Sequence, residues 1–131
     1  IRGDVNWRKG EWQGYQKQNF EAIVDLGKSQ KINEVGAGFL QDTRAWILMP
    51  TLVEFFVSVD GKSFKKVAEV KNTIPADDYK EQTKEFSAVL SKTKGRYVKV
   101  IAHNYGKLPA WHQGFPFSGD AYIFTDEVWV K

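Results

Sequence analysis

Two stretches of this 131-residue chain set aromatic rings beside planar polar side chains. The first, Gln41–Trp46, carries Asp42, Arg44 and Trp46; the second, Asn104–Phe117, carries Trp111, His112, Gln113, Phe115 and Phe117. A ring offers a flat apolar face, and Asp, Asn, His or Arg beside it can exchange hydrogen bonds with hydroxyl groups. That combination suits a sugar, which has apolar C–H faces and a rim of hydroxyls. Shallow sites of this kind bind weakly, a millimolar Kd corresponding to only about −4 kcal/mol. The second stretch is also punctuated by Gly106, Pro109, Gly114 and Pro116, which forbid a helix or a central strand there. It must therefore fold back on a core or offer its rings outward.

Catalytic constellations are not evident. Asp77 and Asp78 are adjacent in a polar loop and read as solvated turn residues, while Asp126 and Glu127 alternate along a strand and point to opposite faces. His103 and His112 are the only histidines, and neither has zinc-ligand spacing or a nearby serine elbow. No glycine-rich phosphate loop appears. Cysteine is absent, so a disulfide, a thiolate metal site and a cysteine nucleophile are all excluded.

The elements that must hold these loops are strands. Phe20–Leu26 alternates Phe20, Ala22, Val24 and Leu26 with Glu21 and Asp25 and ends at Gly27; Ile32–Phe39 follows with Ile32, Val35, Ala37 and Phe39. Leu52–Asp60 places Val53, Phe55, Val57 and Val59 on one face, and Asp60-Gly61 turns the chain into Phe64–Val70 as a hairpin. Asn72–Tyr79 reads as a polar loop. Thr83–Val89, Tyr97–Ala102 and Tyr122–Val130 complete the set. Short strands at regular spacing without an amphipathic helix indicate an all-β sandwich in one domain, residues 1–131. Residues 1–18, with Trp7, Trp12 and Tyr15, read as an irregular opening segment in which Trp12 is a packed anchor.

Formal charge is +3, without a basic stripe, so nucleic acid is not an expected partner. Lys62, Lys65 and Lys66 form the nearest thing to a basic cluster and read as a solvated hairpin. No apolar run approaches the length of a membrane helix, and membrane insertion is not expected. The chain begins at Ile1 without signal-peptide features and reads as a piece of a longer protein.

Several segments resemble the discoidin domain, also called the coagulation factor V/VIII type C domain. Val57-Ser58-Val59-Asp60-Gly61-Lys62-Ser63-Phe64 is similar to its Ser-x-Asp-Gly hairpin, Phe20–Gly27 to its Asp-Leu-Gly strand end, and Arg96–Val100 to its Arg-Tyr-Val-x-Val strand. Trp12–Tyr15, Gly38–Asp42 with Trp46–Pro50, Leu108–His112 and Ile123–Val128 resemble more narrowly the discoidin domain appended to bacterial β-hexosaminidases, the chitobiases.

The resemblance implies a galactose-binding-domain-like jelly-roll β-sandwich, related to family 32 carbohydrate-binding modules. It implies a non-catalytic accessory module, monomeric, in the C-terminal part of a bacterial glycoside hydrolase that is periplasmic, cell-surface or secreted. The implied partners are terminal hexosamine or galactose, and the catalytic domain of the same chain. The alternative is a structural domain that docks on and stabilises the catalytic domain without a ligand of its own. Ligand contacts would come from Trp111, His112, Phe115, Phe117, Asp42, Arg44 and Trp46. Trp46 and Trp111 belong to the subfamily pattern itself, which favours packing for Trp46 and leaves Trp111 and His112 open between packing and recognition. Relatives also hold a structural calcium with their opening loop and a carboxylate near the C-terminus. The matching residues here are Asp4, Asn6 and Glu127, although the Leu-x-Asp-Gly segment with which relatives begin would lie before Ile1.

Overall fold

The structure is a computed structural model that describes residues 13–16, 18–106, 108, 111, 112 and 119–131. Six strands account for most of it: β1 (Gln13–Gln16), β2 (Phe20–Gln41), β3 (Leu52–Ser58), β4 (Lys65–Lys71), β5 (Gln82–Ala102) and β6 (Tyr122–Val130). They pair antiparallel throughout in the order β1-β6-β2-β5-β3-β4.

The two long strands explain how one hydrogen-bonded sheet becomes two layers. Phe20 and Phe39 lie at opposite ends of β2 and would stand about 60 Å apart in a straight strand. Their ring centroids are 6.4 Å apart, edge to face. β2 therefore bends back over itself, and β5, paired with it along its length, bends in step. The register slips between Asp25 and Gln30 and again between Ile32 and Glu34, which is where the bend is absorbed. Gly27 takes φ +86 there, and its N–H is capped by Asp25 Oδ1 at 2.8 Å. Arg96 then clamps the same carboxylate from β5 through Nε and Nη2, at 2.9 and 3.1 Å.

The predicted strands Phe20–Leu26 and Ile32–Phe39 are thus two halves of one strand, as are Thr83–Val89 and Tyr97–Ala102. Turn-like residues between the halves suggested a break. Yet the pairing skips only residues 26–29 and 33 of β2 and 90–92 and 96 of β5, and otherwise joins the same two strands on both sides of the bend. Between the layers, Val35, Ala37, Phe39, Val53, Phe55, Phe86, Val98 and Val100 form the core, with Phe39 against Phe86 edge to face at 5.4 Å. Val59 departs from its expected place on the inward face of β3 and is 64% exposed. The chain leaves the strand at Ser58, so the alternation that buries Val53, Phe55 and Val57 no longer applies.

The bends define two ends. One gathers the Gln41–Thr51, Asn72–Gln82 and Ala102–Tyr122 connections. The opposite end gathers the bends of β2 and β5 and the β3–β4 hairpin turn.

Candidate functional site

At the first of these ends the chain is tied side chain to main chain. Thr43–Ala45 forms a single 3-10 turn after β2, ended by Trp46 in the left-handed conformation at φ 68. The Thr43 hydroxyl donates to the carbonyls of Ala76 (2.9 Å) and Asp78 (3.2 Å). Buried Gln41 donates through Nε2 to the carbonyls of Pro75 and Asp78, at 2.9 and 3.1 Å. These bonds staple the 72–82 connection to the 41–51 connection. The third connection is attached through His112, whose Nε2 donates to the Thr43 carbonyl. Because a carbonyl only accepts, that nitrogen carries the hydrogen.

Asn104 anchors the start of the third connection. Its amide nitrogen donates to the carbonyls of Gln18 and Ala121, both at 3.1 Å, and its Oδ1 accepts from Gly106 N–H at 2.8 Å. Gly106 adopts φ +94, and its carbonyl accepts from Ala121 N–H at 2.7 Å.

A chain of rings rests on this framework. Trp46 meets His112 edge to face at 6.4 Å, His112 meets Trp111 at 5.8 Å, and Trp111 meets Tyr79 at 6.1 Å. The Arg44 guanidinium lies over the Tyr79 ring, 5.1 Å from its centroid. Exposure differs sharply along it: Trp46 is half-buried and His112 1% exposed, whereas Trp111 is 48% and Tyr79 40% exposed. At the same end a concavity of about 240 Å³ opens between the connections, lined by Gln41, Thr51, Asn72, Ile74, Ala76 and Tyr105 among others, though not by Arg44, Tyr79 or Trp111.

The sequence-derived residues separate accordingly. Arg44 and Trp111 reach the surface together. His112 and Asp42 are buried beneath them and shape the connections from within: the Asp42 carbonyl accepts from Ala45 and Ile47 N–H, and its own N–H returns to the Ile47 carbonyl. Trp46 is half-buried against Leu48, Leu108 and Ala121, and its carbonyl accepts from Tyr122 N–H at 2.8 Å, which agrees with packing. Phe115 and Phe117 lie outside the described residues. Tyr79 was missed, because its neighbours Asp77 and Asp78 made the segment read as a solvated loop. Its type beside Arg44 was the available signal, but nothing local says that Thr43 and Gln41 pull the two together.

Of the calcium set, Asp4 and Asn6 lie outside the described residues. Glu127 is half-buried on β6, just beyond Thr125, which pairs with Gln13 of β1. Among the described residues no group of three or more His, Cys, Asp or Glu converges to hold a metal. Glu127 alone is not a site, since calcium takes six to eight oxygens.

Among the described residues the fold pairs His103 with Glu54, on the outer sheet face. Glu54 also meets Lys66 at 2.9 Å. Hydrogen bonds from His103 and then Lys66 hold the Glu54 carboxyl below the usual range, so it stays ionised rather than serving as an acid.

The sequence profile described as the F5/8 type C domain matches residues 1–118. Among curated proteins no sequence matches. Solved structures similar to the chain include the CBM32 of AlyQ in complex with 4,5-unsaturated mannuronic acid, at 12% identity and TM-score 0.56, covering 92% of this chain and 76% of that one. The C-terminal domain of a chitobiase from Bacteroides fragilis aligns at 16% identity and TM-score 0.44, covering 98% and 77%. CpGH89CBM32-5 from Clostridium perfringens, in complex with GalNAc-β-1,3-galactose, aligns at 18% identity and TM-score 0.46, covering 92% and 96%. At these identities the likeness concerns the fold, and the AlyQ module carries it: the layers form the expected jelly-roll sandwich.

Proposed function

Because the chain belongs to the F5/8 type C, or discoidin, family, we propose that it is a non-catalytic module that binds carbohydrate at its ring-bearing end. The observation that carries this reading is the exposed pair Trp111–Tyr79, with Arg44 over Tyr79. The rings would cover the C–H face of one sugar residue, and Arg44 would pair its hydroxyls. That the AlyQ module is in complex with an unsaturated sugar acid supports the ligand class. A purely structural docking surface would instead call for a contiguous apolar patch, and the cation beside Tyr79 favours a ligand.

On this reading the module sits in a bacterial glycoside hydrolase of the β-N-acetylhexosaminidase type, outside the cytoplasm. It holds the enzyme near terminal GlcNAc, GalNAc or galactose by effective concentration rather than by tight binding. Isothermal titration with these three sugars checks it. Saturable binding in the millimolar range is expected for at least one, with a loss of about tenfold or more in Trp111→Ala, equivalent to about 1.4 kcal/mol. Absence of binding to all three, or unchanged affinity in the variant, would overturn the proposal. A structural calcium using Glu127 with Asp4 and Asn6 belongs to the same reading. Calcium should raise the melting temperature of chelator-treated protein, and Glu127→Gln should abolish the increase; a temperature indifferent to calcium removes the ion.

A further inference from the structure

At the opposite end of the sandwich a groove of about 460 Å³ opens between the β3–β4 hairpin and the bend of β5. Its lining includes Lys65, Lys92 and Lys94, with Ser91, Thr93 and Val67 between them. The acidic residue among its lining, Asp60, is occupied by its own turn. Its Oδ1 accepts from Lys62 N–H at 2.8 Å, and from Ser63 N–H and the Ser58 hydroxyl at 3.0 Å.

Lys65, Lys92 and Lys94 meet no carboxylate within ion-pair distance among the described residues, a state they share with Lys28, Lys31, Lys62, Lys71 and Lys80, so it is their placement that sets them apart. Lys94 also stands directly opposite Lys31 across the β2–β5 pairing, and like charges placed so are mutually destabilising. Finally, Lys92 holds φ +52, a left-handed conformation that residues other than glycine seldom adopt. The bend thus sets three lysines against the single carboxylate of Asp60 around one concavity, an excess of positive charge held at a cost to the fold.

The geometry points to a binding site for an acidic saccharide. The carboxylate or sulfate of one sugar residue sits among Lys65, Lys92 and Lys94, and its hydroxyls meet Ser91 and Thr93. Nucleic acid fits less well, because no aromatic ring lines the groove to stack a base and the lysines surround a short concavity rather than a stripe. This site is separate from the Trp111 rings and does not depend on sugar binding there.

Titration of the 131-residue domain with oligogalacturonate and with a sulfated heparin oligosaccharide tests the inference and tells uronate from sulfate. Neutral maltooligosaccharide and a DNA oligonucleotide serve as controls. At least one acidic saccharide should bind, and more weakly as NaCl is raised. The double variant Lys92→Gly, Lys94→Gln should lose about tenfold or more in affinity while its melting temperature stays the same or rises, since glycine suits the left-handed position and the opposed charge is gone. Trp111→Ala should bind the acidic saccharide as before. The inference is overturned if neither acidic saccharide binds, if the double variant binds unchanged, if DNA binds as tightly, or if Trp111→Ala alone abolishes the binding.

Discussion

The two ends of this sandwich solve the same problem in different ways. Where the rings lie, three separate connections meet, and their order comes from side chains: Thr43, Gln41, His112 and Asn104 reach across to main-chain groups that have no strand partner. At the opposite end much of the turning is done by strands that bend without ending, held by register slips, Gly27 and the Asp25–Arg96 clamp. One end is therefore stapled by buried polar contacts and displays rings. The other is carried by backbone pairing and displays lysines. A connection free of the sheet can place a ring at an angle no strand allows, whereas a bent strand pair can bring two lysines face to face across its ladder.

Breaking a staple should cost most. His112→Ala removes a buried side chain, opens a space beside Trp46 and leaves the Thr43 carbonyl with the Trp46 N–H alone of its two donors. A loss of about 2 kcal/mol or more in urea unfolding is expected. Sugar binding should weaken with it, because Trp111 leans on His112. By contrast, Trp111→Ala next to it removes a half-exposed ring and should leave stability nearly unchanged while removing the sugar. Equal stability losses in the two variants would erase the distinction between support and display.

At the opposite end the corresponding lesion is in the backbone. A Cβ on Gly95 would lie 2.2 Å from Val57 Cγ1. Gly95→Ala should therefore destabilise by about 1–3 kcal/mol through overpacking and distort the lysine groove, with the ring end still able to bind. Loss of neutral-sugar binding in this variant would mean that the ends are coupled.

The smallest expected effect is on acid sensitivity. Asp60 is held below the usual carboxylate value of 3.8 by N–H groups of Ser63 and Lys62 and by the Ser58 hydroxyl. A depressed folded-state pKa contributes stability above the unfolded value, and this is lost as pH falls through the folded one. The melting temperature of the native protein should fall below about pH 4, and Asp60→Ala should show a shallower decline. Parallel curves would place the acid sensitivity elsewhere, among Asp25, Glu54 and Asp78, whose pKa values are also lowered, by the Arg96, His103 and Gln82 side chains respectively.

How much of this was legible follows from how local each signal is. The inward alternation of Val53, Phe55 and Val57 and the Asp60-Gly61 turn could be read because strand periodicity and turn chemistry involve near neighbours. The ring-bearing character of Gln41–Trp46 and Asn104–Phe117 could be read for the same reason. His112 adjoins Trp111 in sequence, yet one ring is buried and the other displayed. In an irregular segment no periodicity assigns faces, so only the Thr43 carbonyl, 69 residues away, tells them apart. The continuity of β2 and β5 was hidden by glycine and polar residues that mark turns elsewhere.

By itself, the sequence determined the sandwich, its hairpin, its cysteine-free chemistry and the two ring-bearing connections, since composition and short-range pattern suffice for each. Tertiary structure alone decided that Tyr79 joins Trp111 and Arg44, that His112 and Asp42 turn inward, and that lysines distant in the chain surround one groove. Those outcomes depend on which distant main-chain groups need hydrogen bonds and on where two long strands bend. Neither is written in the spacing of neighbouring residues.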